Sequence, residues 1–109
     1  MPDTRPTTPR PFSNLMSEPA AITLLASLPL SAPGLTAEQL AAALHDDGHS
    51  FSARQVRDLM ERCRLYGAEI ISDRRQPRTN GACHARYYWS PTIQQLREVE
   101  ASDAALIAG

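Results

Sequence analysis

Residues 50–67 read SFSARQVRDLMERCRLYG and carry the start, the body and the end of one amphipathic helix. Ser52 is a typical N-cap residue, and Gln55 three positions later is spaced to complete a capping box with it. Apolar side chains then recur at helical spacing, whereas the opposite stripe is charged and rich in arginine. Gly67 offers the left-handed residue that commonly follows a helix end. The pattern predicts a helix over residues 53–66.

Positive charge is concentrated in one part of the chain. Residues 51–90 hold eight arginines and four acidic residues, whereas residues 1–50 hold two arginines and five acidic residues. Residues 91–109 hold one arginine and three acidic residues, and the formal net charge of the chain is −1. A basic segment within a near-neutral chain is a distribution typical of a nucleic-acid-binding face.

Length and composition indicate one small globular domain. The chain has 109 residues, of which 42% are hydrophobic, and this is enough for a modest core. No apolar run approaches the roughly 20 residues that span a bilayer, and we find no secretory signal pattern at the N-terminus. Two cysteines are too few for a disulfide framework. We therefore expect a cytoplasmic protein without a membrane partner.

The N-terminal part of the chain is predicted to be an arm followed by a core helix. Residues 1–16 are rich in proline and threonine, which predicts a flexible N-terminal arm. A first helix is predicted from about Ser17 to Leu28, with a broad apolar face that belongs in the core.

A second helix is predicted over residues 37–45, and its start has the same capping pattern as the arginine-bearing helix. Thr36 is the N-cap and Gln39 is the capping-box partner. The polar segment over residues 45–50 then connects it to the next helix. Two short helices joined in this way predict a helix-turn-helix, although the connection is longer than the usual three or four residues.

After Gly67 the hydrophobic period changes from that of a helix to that of a strand. Residues 68–73 carry an Ile-Ile pair, residues 83–89 alternate, and Asn80-Gly81 is a turn signal between them. The pattern predicts a β-hairpin with a basic tip, or wing, over residues 74–82, which contains Arg74, Arg75 and Arg78.

Residues 92–109 form the last predicted element, a C-terminal helix over at least residues 92–100. This segment has more apolar side chains than a helix needs to cover one side of the domain; they are Ile93, Leu96, Val99, Leu106 and Ile107. This excess favours a homodimer that pairs through the C-terminal segment. The competing interpretation is that the helix only covers the first helix.

The segments LTAEQLAAAL, SARQVRDLMERCRLYGAEII and RYYW occur in this order along the chain. In sequence and spacing they resemble the winged helix-turn-helix domain of bacterial and phage transcription regulators. The resemblance implies an α+β, mostly helical fold over residues 17–91, with three helices and a β-hairpin wing, followed by the C-terminal helix. Its implied function is sequence-specific binding of double-stranded DNA.

In such a domain the recognition helix, here residues 53–66, enters the major groove and the wing meets the adjacent backbone. Arg54 and Arg57 are best placed to read base edges. The other candidate DNA-binding residues would contact the backbone; they are Ser52, Thr36, Arg64, Arg74, Arg75 and Arg78.

Two alternative interpretations of the arginine-rich stripe remain open. Arg54–Asp58, Arg57–Glu61 and Asp58–Arg62 are spaced as i,i+4 pairs, which would make part of the stripe an ordinary solvated surface. A winged helix also serves as a protein–protein interaction module, for example in a phage or host accessory or inhibitor protein, because one fold carries many functions.

Catalytic and metal-binding patterns are not evident in the sequence. Cys63 and the pair Cys83-His84 lack metal-ligand spacing, and His45 and His49 lack flanking ligands. We find no nucleophile set and no glycine-rich phosphate loop in a recognisable context. We therefore expect a protein that is not an enzyme and has no metal or other cofactor.

Overall fold

A computed structural model describes residues 11–73 and 85–108. Within these ranges the chain forms a short 3₁₀ helix, four α-helices and two strands. In chain order the elements are the 3₁₀ helix Phe12–Ser17, α1 Pro19–Ser27, α2 Ala37–Asp46, α3 Ala53–Leu65, β1 Ile70–Asp73, β2 Arg86–Trp89 and α4 Ile93–Ala108. The prediction of an α+β, mostly helical protein is confirmed. Both ends of α1, α2 and α3 lie within two residues of the predicted bounds.

Capping boxes begin both α2 and α3, as the sequence predicts. The Thr36 hydroxyl accepts from the Gln39 N–H at 3.1 Å, and the Gln39 side chain accepts from the Thr36 N–H at 2.9 Å. Ser52 and Gln55 make the same pair of bonds at 3.1 and 2.9 Å. Each box satisfies two N–H groups that a helix start otherwise leaves unpaired.

A glycine with positive φ ends each of the same two helices, Gly48 at +90° and Gly67 at +95°. After α3, the Gly67 N–H donates to the Arg64 carbonyl at 3.0 Å, and the Ala68 N–H donates to the Cys63 carbonyl at 3.1 Å. This bonding pattern is a Schellman motif, and its usual apolar contact is supplied by Ala68 and Cys63, both buried in the core. The motif turns the chain sharply from α3 toward β1.

The two strands form an antiparallel pair in which Ile70 lies opposite Trp89. The segment before α2 lies along the other edge of β2, where Leu35 and Tyr87 exchange backbone hydrogen bonds at 3.0 and 2.7 Å. Only glycine fits at position 34, because a Cβ there would lie 2.0 Å from the Tyr87 carbonyl oxygen. This third strand-like contact was not predicted from the sequence.

The core joins all four helices and both strands in one cluster, with Trp89 as its largest fully buried side chain. Phe12 stacks on Trp89 with ring centroids 6.2 Å apart, and Leu15 is fully buried. Phe12, Leu15 and Met16, which fall within the predicted arm, therefore pack in or against the core. The rest of the predicted arm, residues 1–10, lies outside the described residues.

The C-terminal helix α4 packs against α1 and the 3₁₀ helix. Val99 is buried and Leu96 is half-buried, whereas Ile93 is 72% exposed. Leu106 and Ile107 in the second half are 41% and 79% exposed. No helix in the described ranges has the length and apolarity needed to cross a membrane.

Candidate nucleic-acid interface

The first half of α3 presents two exposed arginines, Arg54 and Arg57, which we call the arginine pair. Arg54 has no hydrogen bond or ion pair with any described residue. Arg57 lies 4.0 Å from the Glu38 carboxylate of α2, and both side chains are more than half exposed. Both guanidinium groups are therefore accessible to a ligand.

The arginines in the second half of α3 bond to other parts of the molecule. Arg64 donates to the Ile70 carbonyl from Nε at 3.1 Å and from Nη2 at 2.8 Å, and its Nη1 pairs with Glu61. Arg62 pairs with Glu18, which precedes α1. All three nitrogens of Arg64 are thus occupied, and its side chain is only 31% exposed. The predicted phosphate contact of Arg64 would be limited to the two guanidinium N–H groups that these bonds leave.

The ion pairs along α3 differ from the local pairs that its sequence spacing suggests. Asp58 is exposed and pairs with neither Arg54 nor Arg62 within the described ranges. Arg57 and Arg62 instead contact acids on other elements, because tertiary packing brings α2 and the start of α1 within reach. The interpretation of α3 as a self-paired solvated helix is therefore not supported for the arginine pair.

Two hydroxyl groups lie at the starts of α2 and α3, as predicted for backbone contacts. Thr36 and Ser52 accept hydrogen bonds from backbone N–H groups inside their capping boxes. A hydroxyl that accepts in this way keeps its own proton to donate. Ser52 is exposed and Thr36 is half-buried, so both helix starts offer a donor next to their positive dipole ends.

A cleft of about 200 Å³ separates α3 from the base of the hairpin. Arg57, Met60, Glu61 and Arg64 line its helix side, and Ser72 and Tyr87 line its strand side. The end of β1 and the start of β2 therefore lie beside α3. The predicted wing over residues 74–82, with Arg74, Arg75 and Arg78, lies outside the described residues.

Comparisons with known proteins identify no relative. The chain matches no family model, no curated protein and no solved structure. What the protein does is therefore inferred from its own residues and their geometry.

Two exposed charged residues, Glu38 and Arg86, were not predicted from the sequence to have a role. Glu38 reaches Arg57 from the first turn of α2. Arg86 is exposed at the start of β2, where its Nη1 donates to the Gly34 carbonyl at 3.4 Å. Arg86 belongs to the basic segment of residues 51–90, so the charge distribution could have pointed to it. The contact between Glu38 and Arg57 depends on how α2 packs on α3, and the sequence gives no local sign of it.

Cys63 is fully buried in the core, and burial raises the pKa of its thiol to about 12, with repulsion from Glu18 as a smaller cause. The thiol therefore stays protonated at neutral pH and is a poor nucleophile and metal ligand. His49 is half-buried with its Nε2 3.5 Å from the Thr23 hydroxyl. In the part of the chain that the structure describes, no group of three or more His, Cys, Asp or Glu is arranged to hold a metal ion.

Proposed function

We propose that the protein binds double-stranded DNA in a sequence-specific manner and acts as a small transcription regulator of the winged helix-turn-helix type. The observation that carries the proposal is the division of the arginines along α3. Arg54 in its first half makes no ion pair with a described acid and Arg57 lies 4.0 Å from Glu38, whereas Arg62 and Arg64 in its second half make close bonds to Glu18 and Ile70. A recognition helix contacts base edges through its N-terminal residues.

The order of elements supports the same proposal. Six residues connect α2 to α3, and α3 is followed by a sharp turn and two antiparallel strands. The hairpin base borders α3 across a narrow cleft. In a winged helix-turn-helix this arrangement lets α3 enter the major groove while the wing, residues 74–82, meets the neighbouring phosphates.

The proposed contacts differ in what they contribute. The arginine pair reads base edges, where an arginine can donate two bonds to the O6 and N7 atoms of guanine. The remaining proposed contacts go to phosphates, which position the protein without reading sequence; they are Ser52, Thr36, Arg74, Arg75 and Arg78. We assign Arg64 a structural role instead, because its guanidinium is already bonded to Ile70 and Glu61.

We further propose that the protein acts as a homodimer through the second half of α4. One recognition helix covers only a short half-site, and competition from genomic DNA demands more discrimination than this supplies. Leu106 and Ile107 are exposed at the end of α4. Two-fold pairing there would double the contacts and require a palindromic site.

A protein partner in place of DNA is the second candidate function. The observation that favours it is the presence of two exposed acids, Asp58 and Glu61, on the same helix as the arginine pair. Acids on this helix weaken its attraction for phosphate. A helix face that carries both arginines and acids suits a protein partner whose surface places acids opposite the arginines and basic residues opposite the acids.

Selection of duplexes from a random library tests the DNA-binding proposal. The full chain is incubated with the library, and bound duplexes are amplified and then titrated at several salt concentrations. We expect an enriched sequence, saturable binding, and an affinity that falls linearly with salt on a log–log plot. Failure to retain any duplex at low salt would contradict the proposal and favour the protein-partner function.

A further inference from the structure

Glu38 connects the first turn of α2 to the recognition helix. Its Oε2 atom lies 4.0 Å from the Nη2 atom of Arg57, and the two side chains are 62% and 52% exposed. An exposed pair at this distance contributes little to stability, because water screens it. Its main consequence is the negative charge that it places beside a guanidinium on the proposed DNA-binding face.

We propose that Glu38 is a specificity-determining residue, which makes phosphate a poor partner for Arg57 while leaving guanine accessible. The inference rests on the proposed function and concerns how the same site discriminates between sequences. An unpaired guanidinium is attracted by any phosphate, and phosphate contacts carry no sequence information. A carboxylate beside the guanidinium repels an approaching phosphate.

The cost of that repulsion depends on the acceptor that Arg57 meets. The O6 and N7 atoms of guanine are neutral acceptors, so Glu38 opposes them much less than it opposes a charged phosphate oxygen. Discrimination then arises because the wrong partner is penalised, rather than because the right partner is bound more tightly. Arg54 makes no ion pair with a described acid and remains free to bind either kind of acceptor.

The local structure makes Glu38 suitable for a clean substitution. The capping box at the start of α2 is formed by Thr36 and Gln39, and Glu38 takes no part in it. The Glu38→Gln variant therefore removes the charge and keeps the helix start and the side-chain length. Glu100→Gln is the matched control, because Glu100 is an exposed acid on α4.

The experiment compares a duplex selected by the wild-type chain with a shuffled duplex of the same composition. Glu38→Gln should bind the shuffled duplex about 3- to 10-fold more tightly, with a salt slope steeper by up to about one, because Arg57 then binds a phosphate as well. Affinity for the selected duplex should change by less than about twofold, so the specificity ratio falls. Glu100→Gln should leave the ratio unchanged.

A double-mutant cycle separates this role from a general effect of charge. In an Arg57→Ala background, Glu38→Gln should change the specificity ratio by less than about twofold. The inference is overturned if Glu38→Gln leaves the ratio unchanged, or if it changes the ratio equally with and without Arg57. A wild-type chain that binds no duplex contradicts the proposed function itself, whereas normal wild-type binding with an unchanged variant ratio contradicts only the role of Glu38.

Discussion

Arg64 holds the carbonyl oxygen of Ile70 with two guanidinium nitrogens, Nε at 3.1 Å and Nη2 at 2.8 Å. This contact ties the last turn of α3 to the first residue of β1, across the turn at Gly67. Hydrogen bonds from a charged donor are stronger than neutral ones. The contact therefore fixes the direction in which the chain leaves α3 for the hairpin.

Replacement of Arg64 by alanine should destabilise the fold. We expect the free energy of unfolding in urea to fall by about 1–2 kcal/mol, since the variant cannot form these charge-assisted hydrogen bonds and partial exposure limits their value. Arg54→Ala is the control and should change stability by less than about 0.5 kcal/mol. Equal stability of the two variants would show that Arg64 has no structural role and would return it to the phosphate-contacting residues.

Replacement of Arg54 by alanine should reduce sequence discrimination. If Arg54 reads a base, the variant loses about 1–3 kcal/mol of binding free energy at the selected duplex and much less on shuffled DNA. Fluorescence anisotropy on both duplexes measures the difference. Arg97→Ala, which removes an exposed arginine from α4, should affect neither. A loss of equal size on both duplexes would make Arg54 a backbone contact.

The wing should bind phosphates without adding specificity. Replacing Arg74, Arg75 and Arg78 together by alanine should weaken binding to all duplexes by a similar factor. The slope of log affinity against log salt should flatten by up to about three units, near one for each phosphate that the variant no longer neutralises. If the slope stays at its wild-type value, the wing does not touch DNA.

Local sequence signals predicted the helix starts and ends well. The spacing of a hydroxyl residue and a glutamine predicted the capping boxes at Thr36 and Ser52, because every atom of such a box lies within four residues. The same spacing occurs at Thr92 and Gln95, which bond reciprocally at 3.1 and 3.2 Å. The sequence therefore carried the same local signal for the start of α4, although the prediction of that helix rested on its apolar residues alone.

Contacts between distant residues were not predictable from the same signals. Arg62 and Glu18 are 44 residues apart and meet only because α1 packs against α3. Leu35 pairs with Tyr87 because Gly34 lets two backbone segments approach closely. Helical spacing shows which side chains share a face, but it does not show which other element covers that face. The partners of the α3 arginines could therefore be identified only from the structure.

The dimer proposal is tested by placing charge on the exposed end of α4. Leu106→Glu combined with Ile107→Glu should convert a particle of about twice the 12.0 kDa chain mass into a monomer, as measured by light scattering. Leu30→Glu, at another exposed apolar residue, should leave the mass unchanged. Truncation after Pro91 is less suitable, because it would remove the buried Val99. A wild-type chain that is already monomeric would contradict the dimer.

The most direct test of DNA binding through α3 and the wing is a titration of the ¹⁵N-labelled protein with its selected duplex, followed by two-dimensional NMR. We predict that amide shifts concentrate at residues 52–58 and at residues 74–82, and that the residues of α4 shift little. Shifts confined to α4, or no shifts at residues 52–58 when the duplex saturates the protein, would contradict DNA binding through α3 and the wing.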